Sequence, residues 1–376
     1  MKKAIYIILS VLMAISLCTC SQQNTSSQSK GETRIDVVSE SSLKKCVPED
    51  NGMDSNTLKE LDSTITDSYP WITSTLVLRH GNIVFEKYYN GNTKESLNEI
   101  RSVTKSFTSA LIGIALDRGD LESIDQKAVD FFPEYVSSAT DPKIKEISIK
   151  NLLTMTSGIP YDFNRYGSWR AQDNLIKSAL EAVPVSQPGD VFNYSDPGAH
   201  LLSGILSKAV KMKTSEYAVK YLFNELDISK FTWPADNQGY NIGAAELTLR
   251  TRDMAKFGQL YLNGGKWKDR QVVPAEWVSQ STSKQTNGGA PSLVNYGCLW
   301  WVTKHTDHPV SFPGYGGQFI MDDDYPAYYA MVYGGQFIYV VPDLDLVVVI
   351  TSSLENHHEE NRGIVTQYII PAIKDK

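Results

Sequence analysis

The sequence predicts a mixed α/β fold of the α+β kind, in which strands from both chain ends build one sheet and a helical region is inserted between them. Three observations predict it. Ser74-Thr-Leu-Val-Leu-Arg-His-Gly-Asn-Ile-Val-Phe-Glu-Lys-Tyr reads as two strands joined at His80-Gly81-Asn82, since β-branched and aromatic residues flank a tight-turn signal. Over residues 101–276 apolar residues recur mostly at helical spacing, interrupted by loops such as Ser157-Gly158-Ile159-Pro160 and Gln187-Pro188-Gly189. Near the C-terminus, Tyr328-Tyr-Ala-Met-Val, Phe337-Ile-Tyr-Val-Val and Leu346-Val-Val-Val-Ile-Thr are short apolar runs of the kind that become buried strands, ahead of a closing helix that ends near Ile373.

Taken in order, the chain opens with Lys2 and Lys3 and a weakly polar-to-apolar stretch from Ala4 to Leu17. That stretch is too short to span a bilayer but suits the core of a signal peptide, here residues 1–19. It ends in Leu17-Cys18-Thr19-Cys20-Ser21, which resembles a bacterial lipoprotein cleavage site. Cys20 is the expected lipidation point because Leu17 stands three residues before it; Cys18 competes, and simple secretion is the alternative. The expected location is the bacterial cell envelope, with the lipid held in a membrane. Residues 20–46, rich in Ser, Gln, Asn and Thr, read as a flexible stalk, and residues 47–374 as the folded domain. A helix is expected near Ser55 to Ile65.

The 376 residues are 41% hydrophobic and 21% charged, which suits an ordinary globular core. The formal charge of -7 becomes -9 once Lys2 and Lys3 leave with the leader. That balance argues against nucleic acid, whose binding draws on clustered Lys and Arg. Cys46 and Cys298 could pair after export, but geometry decides that and sequence does not show it. Gly314-Tyr-Gly-Gly-Gln-Phe-Ile recurs as Val332-Tyr-Gly-Gly-Gln-Phe-Ile, too little repetition for a solenoid.

Ser-x-x-Lys occurs at Ser27, Ser41, Ser42, Ser102 and Ser281, and context chooses among them. The first three lie in the stalk and the last in a polar run, whereas Ser102 opens an amphipathic helix with Val103, Phe107, Ala110, Leu111 and Ile114 on one face and Gly119 as its stop. Ser102 and Lys105 then share a face. A serine hydroxyl needs a base, and a lysine serves if burial lowers its pKa toward neutrality. The helix N-terminus adds positive potential, and the Ser102 N–H could help stabilise an oxyanion. The bland reading is a capping Ser beside a solvated Lys.

Ser102-Val-Thr-Lys-Ser-Phe resembles the nucleophile motif of the penicillin-recognising serine hydrolases: class C β-lactamases, DD-peptidases, related esterases and 6-aminohexanoate-oligomer hydrolases. Asn151-Leu-Leu-Thr-Met-Thr-Ser-Gly, Pro188-Gly-Asp-Val-Phe-Asn-Tyr-Ser-Asp, Met254-Ala-Lys-Phe-Gly-Gln-Leu-Tyr-Leu-Asn-Gly-Gly and Tyr296-Gly-Cys-Leu-Trp-Trp agree with it in order. The resemblance implies a β-lactamase/transpeptidase-like fold, an antiparallel sheet flanked by helices with an all-helical insertion and the site at their junction. It implies an ester- or amide-cleaving enzyme that forms an acyl-serine on Ser102, needs no metal or organic cofactor, and acts on small or short oligomeric substrates. Alternatives are β-lactamase or DD-peptidase activity, or a catalytically silent binding lipoprotein.

By the same resemblance, Tyr194 of Tyr194-Ser195-Asp196 exchanges protons with Ser102 and the leaving group, helped by Lys105. The literal Tyr88-Tyr89-Asn90 ends a hairpin strand and reads as structural. Asp196 replaces the usual Asn at a substrate-binding position, and an ionised carboxylate only accepts hydrogen bonds. Tyr333, Gly334 and Gln336 are expected to line the site, with the Gly335 N–H as second oxyanion donor. Val332 stands where relatives often carry a cation, which disfavours penicillin-like substrates. No Gly-x-Ser-x-Gly elbow occurs. His200 reads as a packed helix residue, His357-His358-Glu359-Glu360 as solvated surface, and Asp322, Asp323 and Asp324 as a turn; Trp300 and Trp301 fit a pocket wall or the core equally.

Overall fold

The computed structural model describes residues 43–162, 166–289, 294–303, 310–311, 318–319, 325–332, 335–353 and 360–375. Helix α1, Ser55–Ser68, begins where Asp54 accepts the Asn56 N–H and buries Leu58, Leu61 and Ile65. Strands β1, Ile72–Arg79, and β2, Asn82–Tyr88, form the predicted hairpin. His80 and Gly81 both take positive φ, 51° and 72°, the conformation a two-residue hairpin turn demands. Tyr88 and Tyr89 donate to Glu86 and Asp62, and Asn90 to the Pro70 and Ile72 carbonyls, so this Tyr-x-Asn is structural.

The largest sheet has seven antiparallel strands in the order β2-β1-β7-β6-β5-β4-β3. Its C-terminal members are β3, Asn295–Tyr296, β4, Trp301–Val302, β5, Tyr328–Met331, β6, Phe337–Val341, and β7, Leu346–Ser352. Both ends of the chain do share one sheet, since β1 pairs with β7 from Ile72↔Ser352 to Arg79↔Leu346. Both central strands are buried along their whole length, and so read as continuous apolar runs rather than alternations. The paired β3 and β4 are two residues each and escape sequence patterning.

The inserted region supplies α2, Thr104–Asp117, α3, Asp196–Val210, α4, Thr251–Leu262, and α5, Ala275–Ser281. Helix α4 lies on the sheet at Gly258, where a Cβ would sit 2.6 Å from Val347 and 2.9 Å from Ile338. Helix α2 stops at Gly119 as expected, in a left-handed conformation. It is not amphipathic, however: every residue from 104 to 115 is buried, Lys105 and Ser109 included. Helices α3 and α5 enclose it, and Gly113 is pressed so closely to Trp277 that no Cβ fits. The closing helix α6, Glu360–Ile364, runs into a π turn, Val365–Ile369, and stops short of Ile373, which instead bridges to Met53. Cys46 and Cys298 are both free, so the disulfide does not form.

Candidate active site

Ser102 sits in a single 3₁₀ turn, Arg101–Val103, that leads into α2. Its hydroxyl caps nothing, because the helix entry carries no side-chain cap, which removes the bland reading. Arg101, just before it, is held at φ 48°, a strained conformation for a non-glycine residue beside a candidate nucleophile.

Lys105 follows one turn later, 1% exposed, and points back at the nucleophile. Its Nζ donates to Ser102 Oγ at 3.0 Å and to the Ala244 carbonyl at 2.8 Å, and lies 2.6 Å from Asp196 Oδ1. The carboxylate contact is an ion pair set off the ideal hydrogen-bond line. A hydroxyl, a carbonyl and a carboxylate thus surround an ammonium that has three hydrogens to offer. Burial alone pulls this ammonium down, but Asp196 and Tyr194 more than offset it, and Lys105 lies above the ordinary lysine range. The condition for a lysine base, a pKa lowered toward neutrality, is therefore not met in the resting site, and Lys105 rests charged.

Tyr194 completes the cluster. Its buried hydroxyl hydrogen-bonds Ser102 and Lys105, and Lys105 Nζ stands 4.8 Å from its ring centroid. Burial pushes the phenol up and the Lys105 charge only partly opposes this, so Tyr194 rests neutral. The ring stacks on Trp301 at 5.8 Å, with Tyr296 and Phe192 edge-on or tilted beyond. Trp301 thus backs the site, while Trp300 packs in the core against Tyr261 and Phe257. Loop 154–159 positions Tyr194: Met155 accepts the Asn193 N–H through its carbonyl and the Ser195 N–H through its sulfur, and Ile159 accepts the Asn193 amide.

Asp196, expected at a substrate-binding position, is buried and turned onto Lys105. It opens α3 behind Ser195, whose hydroxyl caps the Gly198 N–H, and a carboxylate in that first turn is favoured by the helix dipole. Gln336 is likewise structural: its side chain both donates to the Ser352 carbonyl and accepts the Ser352 N–H. The Gly335 N–H, expected as the second oxyanion donor, donates to the Val332 carbonyl at 3.2 Å. Gly335 is needed for another reason: φ is 83°, and a Cβ would meet Asn361 at 2.3 Å. Tyr333, Gly334, Cys20, Gly314 to Gly317 of the earlier copy, Asp322 to Asp324 and His357 to Glu359 lie outside the described residues. Sequence reasoning missed the Ala244 carbonyl, a backbone acceptor with no side-chain signature, and the pairing of Asp196 with Lys105.

The Beta-lactamase family profile matches residues 73–367. The chain belongs to the β-lactamase family. It is a serine hydrolase of that family, whose general mechanism passes through an acyl-serine. Its β-lactamase-family relatives include the 6-aminohexanoate-dimer hydrolase of Paenarthrobacter ureafaciens, 24% identical over 285 residues, 69% of this chain and 70% of that one. A Bacillus anthracis structure provisionally named a 6-aminohexanoate-dimer hydrolase matches with a TM-score of 0.67 at 20% identity, covering 88% of this chain and 86% of its own. EstCE1, described as a hydrolase with promiscuous acyltransferase activity, matches with a TM-score of 0.65 at 13% identity, covering 85% and 98%. These likenesses establish a β-lactamase/transpeptidase-like fold.

Proposed function

We propose that Ser102 is the nucleophile of an exported esterase or amidase, tethered to a membrane of the bacterial cell envelope through lipid on Cys20, and that Lys105 and Tyr194 move its proton. The observation that carries this is one buried cluster: Ser102 Oγ within 3.0 Å of Lys105 Nζ, with the Tyr194 hydroxyl bonded to both.

The charge states set the roles. Lys105 has no lone pair to offer in its resting state, so Tyr194 is the group that takes the Ser102 proton. A neutral phenol does this by accepting that proton on its oxygen while passing its own to the leaving alcohol or amine, with the Lys105 ammonium steadying charge on the oxygen throughout. The Ser102 N–H is the donor this reading assigns to the developing oxyanion. Water then attacks the acyl-serine by the same route in reverse. With Asp196 occupied by Lys105 and Val332 uncharged, no donor amide or cation from these two positions greets a β-lactam; the aromatic group of Phe192, Tyr194, Tyr296 and Trp301 favours a linear substrate with an apolar acyl part.

Intact mass after a fluorophosphonate probe tests the nucleophile. One adduct on the wild type that disappears in Ser102→Ala supports the reading, and no adduct on folded wild type overturns it in favour of a silent binding protein. Hydrolysis of p-nitrophenyl esters and a linear amide, set beside a chromogenic cephalosporin, then separates esterase or amidase from β-lactamase.

A further inference from the structure

We infer that His200, paired with Asp236, is a positioning residue for Lys105, acting through the backbone of residues 243–244; this rests on the catalytic reading above. His200 is completely buried on α3, one turn after Asp196, so one helix carries both groups. Its Nε2 lies 3.0 Å from Asp236 Oδ2, and its Nδ1 accepts the Gly243 N–H at 3.4 Å. Only the neutral tautomer with the proton on Nε2 serves both partners. Asp236 has no freedom to move, since its other oxygen accepts the Gln238 and Tyr240 N–H groups, each at 2.9 Å.

The segment so held bears directly on the cluster. The Gly243 carbonyl accepts the Thr108 hydroxyl of α2 at 2.9 Å, and the next carbonyl, Ala244, accepts Lys105 Nζ. The fit against α3 is tight: Ser203 donates to the Asn241 carbonyl at 2.7 Å, and a Cβ on Gly243 would stand 2.7 Å from Ser203 Cβ and 2.9 Å from the Ala199 carbonyl. Two of the acceptors around the ammonium are therefore set by α3, Asp196 directly and Ala244 through His200. A carbonyl displaced by even part of an ångström would let the ammonium turn away from Ser102 and Tyr194, and misplacement on that scale costs rate rather than binding.

Two isosteric replacements separate the halves of the device. His200→Gln keeps a donor near Asp236 but leaves the Gly243 N–H without its acceptor; His200→Asn keeps an acceptor near Gly243 but leaves Asp236 without its donor. The expected result with a p-nitrophenyl ester is a kcat about tenfold lower for His200→Gln, with KM within about twofold. His200→Asn melts earlier yet keeps kcat within about threefold of wild type. In a Lys105→Ala background, His200→Gln lowers the residual rate no further. If both variants lose kcat alike, or if His200→Gln shifts only melting temperature, the inference is overturned while the catalytic reading stands. A wild type inert to esters and to the fluorophosphonate probe would sink the catalytic reading itself.

Discussion

Lys105 shows how two residues of opposite preference settle a charge state together. Burial of a lone ammonium costs several kcal/mol, so an unpaired Lys105 would shed its proton; Asp196 at 2.6 Å reverses that. Asp196→Ala should therefore destabilise the fold by about 3–5 kcal/mol, the usual cost of orphaning a buried charge, read as a lower denaturant midpoint. Asp196→Asn keeps the shape but removes the charge that outweighs burial, so the Lys105 pKa falls. The limb of the kcat/KM profile that Lys105 governs should then move to lower pH, and an unmoved profile would show that another group sets it. The spacing of Ser102 and Lys105 was legible in the chain because one helical turn is a local property. The direction of the Gly335 N–H was not, since a glycine-rich stretch permits several turns and only the finished hairpin selects the bond to Val332.

Elements place these residues by close approach. Helix α4 reaches the sheet only because Gly258 lacks a side chain, so Gly258→Ala should cost about 1–3 kcal/mol through overpacking against Val347 and Ile338. A thermal melt checks it, and an unchanged melting temperature would mean that the helix shifts freely on the sheet. Helix α2 makes the same point for sequence reading. Its hydrophobic positions were recognisable, but its polar ones look solvated in a linear chain and are in fact consumed inside: Ser106 donates to the Leu299 carbonyl and Thr108 to that of Gly243. A helical pattern tells which residues share a face, and not how many faces are covered.

Over the whole molecule, pH dependence follows from the groups whose proton affinity the fold alters. Lys105 and Tyr194 are both raised, so each contributes stability that is complete below its unfolded pKa, about 10.4 and about 10, and lost as pH rises through the higher folded value. Asp236 is the opposite case: burial opposes its charge, but the His200 bond and two backbone N–H groups win and hold it below the usual carboxylate range. Its contribution is present above the unfolded pKa of about 3.9 and lost as pH falls through the folded value. Melting temperature measured across pH should show a plateau that declines on the alkaline side beyond about pH 10; a curve still rising there would contradict the buried charge pair.

The amino-acid sequence by itself determined the hairpin at His80-Gly81, the stop at Gly119, the strands that close the sheet and the placing of Ser102 one turn before Lys105, because each follows from local propensity and periodicity. Only the tertiary structure decided that Lys105 is charged, that Asp196 pairs with it, and that the Gly335 N–H bonds to the Val332 carbonyl. The reason is electrostatic and long-range: protonation and hydrogen-bond direction depend on atoms brought together across the chain, such as the Ala244 carbonyl 139 residues beyond Lys105, and spacing along the sequence carries no record of them.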